Sequence, residues 1–164
     1  MIDTVYIGLG SNLEQPEQQI QQAVDALKLL PSTDFITVSS LYSSKPMGPQ
    51  DQPDYINAVA AVNTELSAIE LLDQLQQIES SFGRVRKDQR WGARVLDLDI
   101  LLFGNQVINS ERLTVPHYGM KVREFVIYPL AEIAEQLTLP DGTKIKQLQA
   151  TTAENGLFVV GQLN

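Results

Sequence analysis

The segment Leu96-Asp97-Leu98-Asp99-Ile100 constrains this chain more than any other. Its period of two is that of a β-strand, whose successive side chains point to opposite faces. Leu96, Leu98 and Ile100 then share one face and need a cover, while Asp97 and Asp99 share the other. Aspartate is disfavoured in strands, and two like charges ~7 Å apart, two residues along a strand, repel unless a cation lies beside them. The pair is either a solvated acidic face or a metal site. The chain has no cysteine and one histidine, His117, so thiolate and multi-histidine sites are excluded and oxygen ligands remain. Two carboxylates alone suit magnesium, which keeps water molecules and completes its shell with substrate phosphates; the same arrangement can hold two ions.

The charge around this strand favours the metal reading. The net charge is −8, yet residues 84–123 hold eight basic residues (Arg84, Arg86, Lys87, Arg90, Arg94, Arg112, Lys121, Arg123) against four acidic ones (Asp88, Asp97, Asp99, Glu111). Cations thus gather around the aspartates of an otherwise acidic protein. Guanidinium forks match phosphate oxygens in pairs, so the stretch 84–94 supplies counter-charge for a polyphosphate. Gly83 and Gly92 offer it flexible ends, and Trp91 an apolar body that could close over a ligand. There is no Gly-x-x-x-x-Gly-Lys-Ser/Thr loop, and the stretch from Gly8 to Leu13 lacks the third glycine of a dinucleotide fingerprint, so neither a P-loop enzyme nor a Rossmann fold is supported. The N-terminus carries no basic leader and no window is apolar for the ~18 residues of a membrane span, so a cytoplasmic protein is expected, with no membrane partner.

At 164 residues, 43% apolar and 20% charged, the chain fits one domain with one core. Residues 4–8 read as a strand ended by a Gly10-Ser11-Asn12 turn. A helix starts at Pro16, with Ile20, Val24, Leu27 and Leu30 at helical spacing as far as Pro31. Residues 35–43 read as a second strand. Residues 44–54 carry three prolines and a glycine, too many fixed dihedrals for helix or sheet, and form a functional loop. Residues 55–64 read as a third strand, and Ser67 with Glu70 forms a capping box for a helix ended by Gly83. Residues 95–103 are the fourth strand, followed by a short strand near Val107, a helix over 125–133, an Asp141-Gly142 turn and a weak strand near Phe158. The order βαββαβ predicts a ferredoxin-like α+β sandwich with a C-terminal extension, both helices on one sheet face and the other face free for a ligand.

Five pieces then occur in a telling order: Gly10-Ser11-Asn12, residues 48–57 (GPQDQPDYIN), Gly83 to Arg86 (GRVR), Arg90 to Arg94 (RWGAR) running into Leu96 to Ile100, and Thr114 to Tyr118 (TVPHY). Together, over about residues 4–140, they resemble the 6-hydroxymethyl-7,8-dihydropterin pyrophosphokinases. The resemblance implies a single pyrophosphokinase domain over 1–164 with the ferredoxin-like fold. It implies transfer of the β,γ-diphosphate of ATP to the hydroxymethyl group of the pterin, with AMP released, as a step of folate biosynthesis. Its partners would be these two small molecules, with no nucleic acid, in a monomer.

Residue by residue, the resemblance makes Asp97 and Asp99 ligands of two magnesium ions bridged to the co-substrate ATP. Arg84 and Arg94 would assist the transition state. Leu72, Gln76, Arg86, Trp91, Ile100, Arg112, Thr114, His117, Tyr118 and Lys121 would contact ATP. Ser44, Pro46, Met47, Tyr55, Asn57, Arg123 and Phe125 would hold the pterin, with Tyr55 and Phe125 stacking on it. The chain departs from the family at Lys45-Pro46-Met47 and at Ala93. The Asp-x-Asp strand alone does not separate this reading from another metal-dependent phosphotransferase or nucleotidyltransferase on the same sandwich. A ferredoxin-like RNA-binding module would need exposed aromatic and basic residues where the aspartates stand.

Overall fold

The computed structural model describes residues 2–12, 15–44, 54–82 and 96–163. Eight strands and four helices occur in the order β1 (Asp3–Ser11), α1 (Pro16–Leu27), β2 (Thr33–Val38), β3 (Leu41–Ser44), β4 (Tyr55–Thr64), α2 (Ala68–Ser81), β5 (Asp97–Phe103), β6 (Ile108–Asn109), β7 (Thr114–Val115), α3 (Glu124–Ile133), α4 (Ile145–Thr151) and β8 (Phe158–Gly161) among the described residues. The main sheet runs β5-β1-β4-β3-β8, with β2 pairing the far end of β4, and every pairing is antiparallel. In βαββαβ terms β4 lies between β1 and the β2/β3 edge, which is the strand order of the ferredoxin-like arrangement.

One sheet face is apolar because period-two alternation places Val5, Ile7 and Leu9 of β1, Ile56, Ala58, Ala60 and Val62 of β4, and Leu98 and Ile100 of β5 on it. Ile20, Val24 and Leu27 of α1 and Leu71 and Leu75 of α2 cover this face and complete the core cluster. The capping box is present: Ser67 Oγ accepts the Glu70 N–H at 3.2 Å and Glu70 Oε1 accepts the Ser67 N–H at 2.9 Å. It fixes where α2 starts, and so which helix face meets β5.

The opposite face is not free along its whole length. The β1–β5 register shifts between Tyr6 and Ile7, so Tyr6 faces Leu102 and Ile7 faces Ile100, and Leu101 is the extra residue of a bulge. Leu101 and Leu102 both join Val59 in a second buried cluster with Met120, Val126, Ile127 and Leu130. Apolar side chains on that half need a cover, and α3 supplies it. Glu132 on α3 ties the cover down: its carboxylate accepts the Ser40 N–H at 3.0 Å, the Ser40 hydroxyl at 2.9 Å and the Tyr42 hydroxyl at 2.6 Å. Among the described residues, the part of this face that α3 leaves uncovered is the end that carries Asp97 and Asp99.

Other differences from the sequence reading are local. The second strand is two strands, β2 and β3, parted at Ser39-Ser40, and both run along β4. Gly10 and Ser11 lie within β1 rather than in a turn, because both pair with β4. The strand expected near Val107 is β6, which pairs only with β7 in a separate ribbon. Helix α4 carries no sequence signal used above. No helix of the described residues is long and apolar enough to cross a membrane.

If α3 is part of the same cooperative unit as the helix-covered core, Leu130→Ala, which empties a fully buried position, should cost about 2–5 kcal/mol. Urea unfolding followed by far- and near-ultraviolet circular dichroism should still give one coincident transition at lower urea. Two separate transitions would mean that the C-terminal layer folds on its own.

Candidate functional site

Three strands build the open end in three parallel rows. On β5, Asp97 and Asp99 point to this face; Asp97 is half-buried and Asp99 exposed. On β1, Gly10 pairs with Asp97 and Gly8 with Asp99. On β4, the same glycines pair with Asn57 and Val59. Strands lie ~4.8 Å apart, so the carboxylates and Asn57 stand ~10 Å apart across a strip without side chains. A Cβ at Gly10 would come within 3.3 Å of Asn57 Oδ1, so the bare strip also lets the buried amide lie close to β1. Asn57 Nδ2 donates to Ser44 Oγ at 2.6 Å, which joins β4 to β3. Tyr55 stands one pleat beyond Asn57 on the same face, half-buried.

The strand that carries the aspartates is the sheet's edge, and a buried carboxylate secures it. Glu79 on α2 is 4% exposed, and its Oε2 accepts the N–H of Leu98, the residue between Asp97 and Asp99, at 2.8 Å. Sequence periodicity gave no sign of this role, since Glu79 sits where α2 should be apolar. The donor set fits a hard cation. Two carboxylates on one face, with an open strip beside them, leave room for water and phosphate oxygens. Among the described residues no group of three or more histidine or acidic side chains could hold a metal by itself.

Beside β5 lies a cluster of aromatic and cationic groups. The His117 N–H donates to the Leu101 carbonyl at 3.0 Å and hangs this segment on the strand. The His117 and Tyr118 rings stack at 4.6 Å and 22°. The Arg123 guanidinium lies 5.4 Å from the Tyr118 ring centre and 5.7 Å from that of Phe125, so it bridges the two rings. Burial, reinforced by the Arg123 charge, lowers the His117 pKa to about 4. The imidazole is therefore neutral near pH 7. Its Nδ1 accepts the Gly119 N–H at 3.2 Å, which leaves the proton on Nε2 as a donor.

The remaining residues are more dispersed. Arg112 reaches α2, where its Nη2 donates to Asp73 at 2.6 Å and to Gln76 Oε1 at 3.2 Å. Thr114 is exposed nearby on β7. Leu72 and Ile100, expected beside the adenine, are 9% and 3% exposed and pack in the core, so Ile100 can offer a ligand little but its backbone. Lys121 is paired with Asp141, whose pKa that hydrogen bond lowers to about 2. The pairings of Asp73 with Arg112 and of Asp141, read in the sequence only as part of a turn, with Lys121 gave no sequence signal, because the partners are 39 and 20 residues away. Arg84, Arg86, Trp91, Arg94, Pro46 and Met47 lie outside the described residues.

Comparison with known proteins identifies the family. Residues 6–135 match the family described as 7,8-dihydro-6-hydroxymethylpterin-pyrophosphokinase. A protein of Haemophilus influenzae named 2-amino-4-hydroxy-6-hydroxymethyldihydropteridine pyrophosphokinase is 57% identical over 155 residues, covering 94% of this chain and 96% of that protein. One of the same name from Pseudomonas aeruginosa is 54% identical over 157 residues, with 96% of each chain covered. A solved structure of Plasmodium falciparum HPPK-DHPS superimposes with a TM-score of 0.72 at 13% identity, covering 92% of this chain but 44% of that one. The chain spans less than half of that structure, and at this identity the likeness concerns the fold alone. On the family match and these relatives, the chain belongs to the 7,8-dihydro-6-hydroxymethylpterin-pyrophosphokinase family.

The lowered His117 pKa has a consequence for stability. The unfolded chain takes up the imidazole proton near pH 6.5, while the folded protein resists it down to about pH 4. The contribution is complete above pH 6.5 and is lost as the pH falls from 6.5 towards 4. His117→Gln should flatten the slope of unfolding free energy against pH in that window, measured by urea titration of both proteins. An unchanged slope would mean that the folded imidazole titrates normally.

Proposed function

We infer, from this family membership, that the protein transfers a pyrophosphoryl group from ATP to 6-hydroxymethyl-7,8-dihydropterin in folate biosynthesis. The observation that carries the reading to individual residues is the three-row floor: two carboxylates, a strip of glycine backbone, and the Asn57–Ser44 pair. The aspartate row and the neighbouring cations suit a polyphosphate. The Asn57–Ser44 side, with Tyr55 and Phe125, suits a flat heterocycle with a polar edge. The two substrates would then meet over Gly8 and Gly10, where no side chain intervenes.

In this reading Asp97 and Asp99 would hold magnesium, two ions with ATP, and magnesium would supply neutralisation of the phosphate charge. Asn57 and Ser44 orient the pterin so that its hydroxymethyl oxygen faces the β-phosphorus. That oxygen forms the new bond to phosphorus, the bond from the β-phosphorus to the α-bridging oxygen breaks, the hydroxyl proton leaves to solvent, and AMP departs. No side chain is needed as a nucleophile, so the protein contributes positioning and charge. Neutral His117 offers its Nε2–H to a phosphate or ribose oxygen. Arg84 and Arg94, by family resemblance, meet the charge that develops in the transition state. We also take the enzyme to act as a cytoplasmic monomer.

Product identification tests the reaction itself. With ATP, magnesium and the reduced hydroxymethyl-pterin, AMP should form one for one with pterin diphosphate, and a chelator should stop it. Release of ADP, or turnover without pterin, would defeat the assignment. Asp97→Asn and Asp99→Asn test the metal reading: each should lose roughly 10²-fold or more in turnover with the fold intact, because each removes one charge from the cage. Wild-type turnover in either variant would place the metal elsewhere.

A further inference from the structure

Gly119 is buried, and its backbone does not account for glycine. Its φ of −103° and ψ of 0° are open to ordinary residues. Space does account for it. A Cβ built on Gly119 would come within 2.6 Å of Arg123 Nε and 2.8 Å of its Cζ, closer than real Cβ contacts, and within 3.1 Å of its Nη2, so the guanidinium, the far end of a flexible side chain, would have to move away. The guanidinium is thus laid against the bare backbone of Gly119 while bridging the Tyr118 and Phe125 rings. These rings stand on either side of the boundary between the proposed nucleotide and pterin regions.

We propose that Gly119 is a positioning residue: by having no side chain it provides the berth that seats the Arg123 guanidinium between Tyr118 and Phe125, and so fixes the Phe125 ring for the pterin. The inference rests on the reading of Phe125 as a substrate-side ring. Both neighbouring functions of residue 119 can be separated. Its N–H, which donates to His117 Nδ1, survives in alanine, whereas the berth does not. Gly119→Ala therefore removes the seat without removing the hydrogen bond or straining the backbone.

The chain's single histidine makes the seat measurable, since one imidazole signal reports on it. Among the described residues, Arg123 is the charged group that contributes to the low pKa of His117, burial being the larger cause. In Gly119→Ala the pKa read by proton NMR titration should rise, though not to 6.5, because burial remains. Arg123→Ala should raise it as well, and the double variant should go no further than Arg123→Ala. In steady-state kinetics Gly119→Ala should raise the KM for the pterin about fivefold, as expected for one lost cation–π contact of about 1 kcal/mol, with a smaller change in kcat. An unchanged His117 titration in Gly119→Ala would overturn the berth. A raised pKa with an unchanged pterin KM would overturn the positioning role if Arg123→Ala still raises that KM; if Arg123→Ala leaves it unchanged too, the assignment of this cluster to the pterin fails instead.

Discussion

The register that sets Gly10 between Asp97 and Asn57, and Gly8 between Asp99 and Val59, is the constraint on which the site depends. In a sheet with a side-chain period of two, slipping β5 by one residue against β1 would turn both aspartates into the α1/α2 core and its leucines out to water. The cost of burying two carboxylates without partners far exceeds any local preference, so the hydrophobic pattern of β5 also fixes the position of its charges. Glu79 strengthens the same register from outside the sheet. It occupies the Leu98 amide on the outer side of β5, where no further strand pairs among the described residues.

The bulge at Leu101 separates the two uses of this sheet face. On one side of it the face is polar and accessible, with the aspartates and glycines; on the other, Leu101 and Leu102 are both turned into the α3 cluster. The C-terminal layer is thus more than an appendage to the βαββαβ unit. It closes the apolar half of the face and brings Phe125, at the start of α3, to the border of the polar half. The bonds from Ser40 and Tyr42 to Glu132 anchor the other end of α3 to β3, the strand that carries Ser44. Burial and the hydrogen bond to Glu132 raise the Tyr42 pKa, so the phenol remains a donor throughout the ordinary pH range.

How much of this was legible in the sequence depended on whether the signal was local. Residues 55–64 and the Ser67/Glu70 box were read correctly because β4 and the start of α2 are defined by neighbours within a few positions. The same holds for the facing of Asp97 and Asp99. Residues 35–43 read as one strand because they are rich in β-branched and aromatic residues. The break at Ser39-Ser40 is instead held by distant partners: Ser39 Oγ accepts the Val59 N–H at 3.0 Å, and Ser40 meets Glu132. Gly10-Ser11 looked like a turn for a similar reason, since glycine in a strand is disfavoured locally and justified only by what lies beside it. The free second face was an error of the same kind, for nothing local reveals a bulge that points two consecutive leucines one way.

The cations show where composition misleads about strength. The surplus of positive charge in residues 84–123 suggested a surface poised for phosphate, yet two of its members already have carboxylate partners, Asp73 for Arg112 and Asp141 for Lys121. All four side chains are about half exposed, and such pairs contribute roughly 0–1 kcal/mol because water screens them and two long side chains lose freedom. A triphosphate presents several charges at once and accepts two hydrogen bonds from one guanidinium, so it competes favourably with a single exposed carboxylate. The carboxylates therefore hold Arg112 and Lys121 in place without binding them strongly. Arg123, held by two aromatic rings rather than by an acid, keeps its full charge for the site, which is why its effect reaches His117.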